Sequence, residues 1–317
     1  MRLFDFSFCA SRLLIIGLGL LIGFSGQVSA AYCDVPIESH RGEGIENSVS
    51  AIRSALSSGF SGVEIDVRVM SDGQWVLHHD KKLGRVTKSK LGERPIARMS
   101  RGEWRFVKFK DSNERPPRFE QAVEAFAKEA RHDQYLNIEI KSKPSCPSVL
   151  KLITTAKQHL DLDQIRISSM KKDTLYCARG IEQDLYVALI ALPHSDHMRE
   201  ENRYKGARKV LSYFTEGDLD AHLDDFQDTG GRKYDLRRLI EWSAEKLGER
   251  SALHVDARSL LEYGYAIEIA DAEGLGTFAV YSLDAPEEQV RQYRQLKQRR
   301  ILPDVVISDA NPQTLCH

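Results

Sequence analysis

From Val35 onward the chain alternates short apolar runs with amphipathic stretches, and few folds accommodate that rhythm. Val35-Pro36-Ile37 is followed by apolar residues at helical spacing, Val49, Ile52, Ala55 and Leu56, and then by Val63-Glu64-Ile65-Asp66-Val67. This order predicts a strand, a helix and a second strand, the βαβ unit of a parallel sheet. Further strands are predicted at Tyr135–Ile140, Gln164–Ser168, Leu185–Ile190, Leu253–Asp256, Thr277–Tyr281 and Val305–Ser308, with helices at about Pro147–Leu160 and near Asp173–Arg179. Counting Ile37 as the first, eight strands can be placed, most followed by a helical pattern. That is the arithmetic of an α/β chain closed as a (β/α)8 TIM barrel, with a doubly wound open sheet as the alternative.

At 317 residues the chain could hold two domains. No repeat or Pro/Gly/Ser-rich linker divides it, however, and barrels commonly use about 250 residues as one unit, so a single domain over 31–317 is expected. Two stretches break the alternation and are expected as loop insertions: 80–116, basic and turn-rich, and 195–250, helical and charged with both signs. Glu216, Asp218, Asp220, Asp224, Asp225 and Asp228 in the second lack the spaced ligands and glycine of a calcium loop and are expected on a solvated helix face. Lys+Arg 45 against Asp+Glu 46 gives a formal net charge of -1, without the positive field that holds nucleic acid.

The first thirty residues differ from the rest. Arg2 and Arg12 precede the unbroken apolar run Leu13–Phe24, and Val28-Ser29-Ala30 follows with small residues. This is the pattern of a cleavable secretory signal cut near Ala30, too short for a stable membrane span, so a secreted or periplasmic product is expected. Cys9 would leave with it. Cys33, Cys146, Cys177 and Cys316 then remain, an even number suited to disulfides in an oxidising compartment. Among three connectivities Cys33 with Cys316 is preferred, because the ends of compact domains often lie close. The sequence carries no signature of an oligomeric state.

Chemistry concentrates on two strands. In Val63–Val67 the apolar residues take one face, while Glu64 and Asp66 share the other. Barrel strands are apolar on both faces as a rule, so two inward acids need cations, hydrogen bonds or a metal to offset their desolvation. In Tyr135–Ile140, Glu139 is flanked by Ile138 and Ile140, and Lys141 is the next residue on its face. Three converging carboxylates suit a hard divalent cation, Mg2+ or Ca2+, rather than zinc or copper. His40 and His79, each beyond a predicted strand, could carry protons, with Arg41 and Lys141 as fixed positive charges. A metal, a phosphate clamp and two proton carriers are the parts of phosphoester cleavage.

The residues resemble the glycerophosphodiester phosphodiesterase family through His40-Arg41-Gly42, Glu46-Asn47-Ser48, Gly62–Val67, Ser71-Asp72-Gly73 and His79-Asp80 with Leu83, Arg85 and Thr87. The resemblance continues through Asn137–Lys141, Phe278–Asp284 and Val306–Asp309, so it spans about Ile37 to Pro312. It implies a TIM barrel that hydrolyses glycerophosphodiesters, small molecules derived from deacylated phospholipids, to glycerol 3-phosphate and an alcohol. It further implies metal ligation by Glu64, Asp66 and Glu139, acid–base catalysis by His40 and His79, and substrate contacts from Arg41, Lys141 and Tyr281, with Glu46 as a supporting acid. His78, one residue before the implied catalytic histidine, should point the other way. The alternatives are phospholipase D-like cleavage of a lysophospholipid or sphingomyelin, which needs an apolar groove, and a non-catalytic phosphate-binding barrel. Tyr281 stands where the family usually has Trp and Asp284 where it often has Asn, and the 195–250 stretch is expected to overhang the active face and shape leaving-group selectivity.

Overall fold

The computed structural model describes residues 33–110, 112–191 and 236–317. The expected signal segment and the acids from Glu216 to Asp228 lie outside them. All eight expected barrel strands form: β1 (Ile37–Ser39), β2 (Gly62–Val69), β6 (Tyr135–Ile140), β7 (Ile165–Ser169), β8 (Tyr186–Ile190), β9 (Ser251–Asp256), β10 (Thr277–Tyr281) and β11 (Val305–Ser308). They pair in parallel, and the circle closes where β1 meets both β11 and β2. Because β1 has three residues, it covers only the start of β2, through Glu38 opposite Gly62 and Ser39 opposite Val63. The far end of β2 takes the antiparallel strand β3 (Trp75–Leu77), with Val67 opposite Leu77. That pairing delivers His78 and His79 beside the end of β2.

The period of two sorts the side chains. Val63, Ile65 and Val67 join the main core with Leu136, Ile138 and Ile140 of β6, against helices such as Val49–Ser57 and Phe119–Glu129. The Val49–Ser57 helix starts where the Ser48 hydroxyl accepts from the Ala51 amide at 3.0 Å, and it buries Ile52, Ala55 and Leu56. Losing such a cap costs about 1 kcal/mol. The inward face is polar. Asn137 donates to Glu38 at 2.6 Å, Ser168 donates to Asn137 at 2.8 Å, and the Arg166 guanidinium lies over the rings of Tyr135 and Tyr186. These mutual contacts offset the desolvation that polar groups would otherwise suffer in the barrel.

The 80–116 stretch builds a satellite with its own core of Met70, Val76, Leu83, Ile96, Met99, Trp104 and Val107. It includes the two-residue strands β4 (Thr87–Lys88) and β5 (Lys108–Phe109), and Trp104 anchors it by donating to the Pro116 carbonyl at 3.0 Å. The stretch expected as a 195–250 insertion ends in the helix Leu236–Leu247, whose Leu236, Ile240 and Leu247 belong to the main core, so its last turns are part of the barrel's helical ring. Cys33 and Cys316 pair as expected, with Cα atoms 5.3 Å apart, which leaves Cys146 to join Cys177. Among the described residues no helix is long and apolar enough to cross a membrane.

Candidate active site

The two strands with an acid on their inward face lie side by side, with Asp66 of β2 opposite Glu139 of β6. Glu64, Asp66 and Glu139 are all buried, and one carboxylate oxygen from each lies within 4.8 Å of the others. The loop after β1 wraps them. The Arg41 amide donates to Glu64 at 2.9 Å; Asn47 donates to the Asp66 carboxylate at 2.7 Å and accepts from the Asp66 amide at 2.8 Å. Arg41 and Asn47 both adopt the left-handed conformation, with φ of 61° and 59°. Gly42 is required between them, since a Cβ there would stand 2.7 Å from the Ala51 backbone. Lys141 reaches Glu139 at 2.6 Å and Asp66 at 3.3 Å, and Arg41 Nε lies 3.1 Å from Asp66.

Three acids share two cations. Burial raises Glu64 well above the usual carboxylate range, and the neighbouring Asp66 and Glu139 push it further. Burial also opposes ionisation of Asp66, but Lys141 and Arg41 outweigh it and hold that carboxyl well below its usual range. Lys141 is disfavoured by burial yet kept charged by Glu139 and Asp66. Glu64 Oε1 is buried without a hydrogen-bond partner. A hard divalent cation fits this donor set: it would engage the orphaned oxygen and balance the third carboxylate.

Each candidate histidine bonds an aspartate. His79 Nδ1 lies 2.8 Å from Asp80, which Arg85 grips at 2.8 Å; Arg85 also pairs with Glu46, which lies 3.4 Å from Arg41. Arg68, buried on β2, donates to the His79 carbonyl and fixes its backbone. Burial, with help from Arg41 and Lys141, pushes His79 well below its usual range, so it is neutral. Burial opposes ionisation of Asp80, but His79 and Arg85 prevail and keep it charged. His40 Nδ1 lies 2.9 Å from Asp309, whose other oxygen accepts from Gln289 at 2.9 Å. His78 turns away as expected, to the Asp80 carbonyl and Thr87.

A small cleft opens over the acids. His40, Arg41, Glu64, Glu139, Lys141 and Tyr281 line it, while Asp66 and His79 sit behind its wall and Glu46 stands beyond Arg41. Tyr281 donates to the Ala191 carbonyl at 2.6 Å. Met170, Ile190, Leu283 and Ile307 add an apolar side and Asn137, Ser168 and His254 a polar one. Sequence reasoning missed His254, although Leu253-His254-Val255-Asp256 shows the same apolar–polar alternation that exposed Glu64 and Asp66. Burial and Arg166 lower His254 to about 3. It also missed Asn47, Asp309 and Gln289 as the groups that hold the site.

Part of the sequence and the fold are similar to those of known proteins. The family model described as glycerophosphoryl diester phosphodiesterase matches residues 30–218. A glycerophosphodiester phosphodiesterase of Bacillus altitudinis is 24% identical over 152 residues, 46% of this chain and 61% of that protein. Glycerophosphodiester phosphodiesterase 1 of Mus musculus is 28% identical over 165 residues, 49% of each chain. The matched stretch thus spans about half to three-fifths of these curated relatives. Among solved structures, a glycerophosphodiester phosphodiesterase from Agrobacterium tumefaciens superposes with a TM-score of 0.61 at 17% identity, covering 89% of this chain and 99% of that one. An Oleispira antarctica phosphodiesterase in complex with the product sn-glycerol-3-phosphate gives 0.59 at 19% identity, covering 88% and 94%. With a matching family model over more than half its length, and a closed barrel that gathers three acids at one end, the chain belongs to the glycerophosphoryl diester phosphodiesterase family.

Proposed function

We propose that the chain hydrolyses glycerophosphodiesters to glycerol 3-phosphate and an alcohol. The observation that carries this reading is the buried triad Glu64, Asp66 and Glu139, flanked by Arg41 and Lys141 and set between His40 and His79. The product named for the Oleispira structure and the names of the curated relatives support the substrate class.

Glu64, Asp66 and Glu139 would hold Mg2+ or Ca2+. When bound, such an ion supplies positive charge against the phosphoryl oxygens and orients the diester. Arg41 and Lys141, on the cleft wall, bind phosphate oxygens and stabilise the charge that grows on them as the new P–O bond forms. One histidine accepts the proton of the attacking oxygen, and the other protonates the alkoxide released when the P–O bond to the alcohol breaks. Neutral His79 has the form that accepts a proton, with its Nδ1 fixed by Asp80; His40 opens onto the cleft with its Nδ1 turned to Asp309. Tyr281 borders the substrate there. The two disulfides and the N-terminal apolar run support work outside the cytosol, in a secreted or periplasmic setting.

A second reading, cleavage of a lysophospholipid, is favoured by the apolar side of the cleft. Product identification separates the two. The diesterase reading expects sn-glycerol 3-phosphate from glycerophosphocholine and little turnover of lysophosphatidylcholine; lysophosphatidic acid as the main product would replace it with the lipid-cleaving one.

A further inference from the structure

The catalytic reading leaves most of the charge in 80–116 unused. Twelve Lys and Arg residues there face five Asp and Glu, in a chain of net charge -1. Among the described residues, three of the twelve form ion pairs: Lys82 with Glu93, Arg85 with Glu46 and Asp80, and Arg94 with Glu103. The short ribbon of β4 and β5 gathers four others. Thr87 stands opposite Phe109 and Lys88 opposite Lys108. Thr87 and Phe109 are buried, so the period of two turns Lys88 and Lys108 outward; Lys90 and Lys110, each two residues further on, are exposed as well. Like charges directly opposite weaken a strand pair, so this placement does not serve the fold. Lys88 donates to the Lys110 carbonyl at 2.7 Å.

Apolar groups accompany the lysines. Burial alternates into β5, with Phe106 53% exposed, Val107 buried, Lys108 exposed and Phe109 buried. The ring of Phe106 carries the Arg105 guanidinium 4.7 Å from its centroid, and Leu91, 39% exposed, follows Lys90. The ribbon is rooted beside the catalytic end. Thr87 contacts His78 at 3.3 Å, and Arg85, two residues earlier, holds the Asp80 that orients His79.

We propose that this lysine-faced ribbon docks the protein on an anionic lipid bilayer, with Phe106 and Leu91 at the headgroup boundary. The charge is complementary: each lysine near an anionic leaflet strengthens attachment roughly fivefold. The exposed ring and the leucine suit the boundary between headgroups and acyl chains. A soluble polyanion would engage the lysines and leave both apolar side chains in water, which favours the bilayer. Docking there would bring the cleft to the surface from which lipid-derived diesters come.

The test uses the chain from Tyr32 to His317, which forms one compact unit and omits the apolar run Leu13–Phe24. It is sedimented with vesicles of one part phosphatidylglycerol to two parts phosphatidylcholine, and with vesicles of phosphatidylcholine alone. Binding to the anionic vesicles only, abolished by high salt, is expected. Lys88→Gln with Lys108→Gln should weaken it by about 25-fold, at roughly fivefold each. The same double variant should melt close to the parent, since relief of the Lys–Lys pair offsets the loss of the Lys88 bond to the Lys110 carbonyl. Phe106→Ser should weaken binding while leaving its salt dependence in place. Equal binding to both vesicle types, binding unchanged in the double variant, or retention on a sulfated polysaccharide without vesicle binding would each overturn the proposal. The readout is sedimentation, so failure of the hydrolytic reading would leave it standing.

Discussion

The site carries the same device twice, a histidine held through Nδ1 by an aspartate, in two different settings. The His79 side chain is 3% exposed, and its aspartate is braced by the cation Arg85 and through it by Glu46. The His40 side chain is 23% exposed, and its aspartate is braced by a neutral amide, Gln289. In sequence, Asp80 adjoins its histidine and the arm rests on a local turn. Asp309 lies 269 residues from His40 and reaches it only because β11 pairs with β1. The buried arm therefore depends on desolvation and ion pairing, the open arm on closure of the barrel.

The largest expected effect tests whether both arms are needed. His40→Ala and His79→Ala should each lower kcat for glycerophosphocholine by about 10²–10⁴-fold, with far smaller changes in KM. Full activity in either variant would reduce the pair to one working histidine.

Removing the aspartates sharpens the contrast. Asp80→Asn and Asp309→Asn should each slow turnover by about 10²-fold by loosening the imidazole. Only Asp80→Asn should also lower the melting temperature clearly, because it leaves the Arg85–Glu46 pair without its second acid. Equal melting temperatures would show that cation bracing adds nothing.

Acidification should act through the buried histidines. Burial lowers both His78 and His254, the latter to about 3. A histidine depressed in the folded state takes up its proton only on unfolding, so stability is present above the unfolded value near 6.5 and falls as pH drops below it. Each such group contributes a loss of about 1.4 kcal/mol per pH unit. Urea unfolding between pH 7.5 and 5 should show a steeper decline in the parent than in His254→Gln; parallel slopes would count against a buried neutral His254.

The smallest effect on turnover concerns closure. Cys33→Ser with Cys316→Ser removes the staple across the chain ends, worth about 2–4 kcal/mol, and should lower the melting temperature by several degrees. Near room temperature it should spare kcat. A greater fall in the activity of Asp80→Asn than of Asp309→Asn in this background would break the link between closure and the open arm.

Much of this was legible because it is local. The eight strands announce themselves through period-two apolar runs, and Glu64, Asp66 and Glu139 stand out as acids inside them. His79 and Asp80 are neighbours. Asn47, Asp309 and Gln289 were not legible as partners, since loop curvature and barrel closure bring them in from distant positions. The basic character of 80–116 was plain in the sequence, but only the register of Lys88 against Lys108 puts its charges on one face. His254 followed a visible alternation with Asp256 two residues on, but one histidine and one acid on a strand gave no chemical role by themselves.

The central claim is that Glu64, Asp66 and Glu139 hold one divalent ion on which glycerophosphodiester hydrolysis depends. The most direct measurement is sn-glycerol 3-phosphate release from glycerophosphocholine by the chelator-stripped chain, with Mg2+ or Ca2+ added back, beside Glu64→Gln. Activity lost on stripping, restored by either ion in the parent and not in Glu64→Gln, is the expected result. Undiminished activity in the stripped parent, or full metal-restored activity in Glu64→Gln, would contradict it.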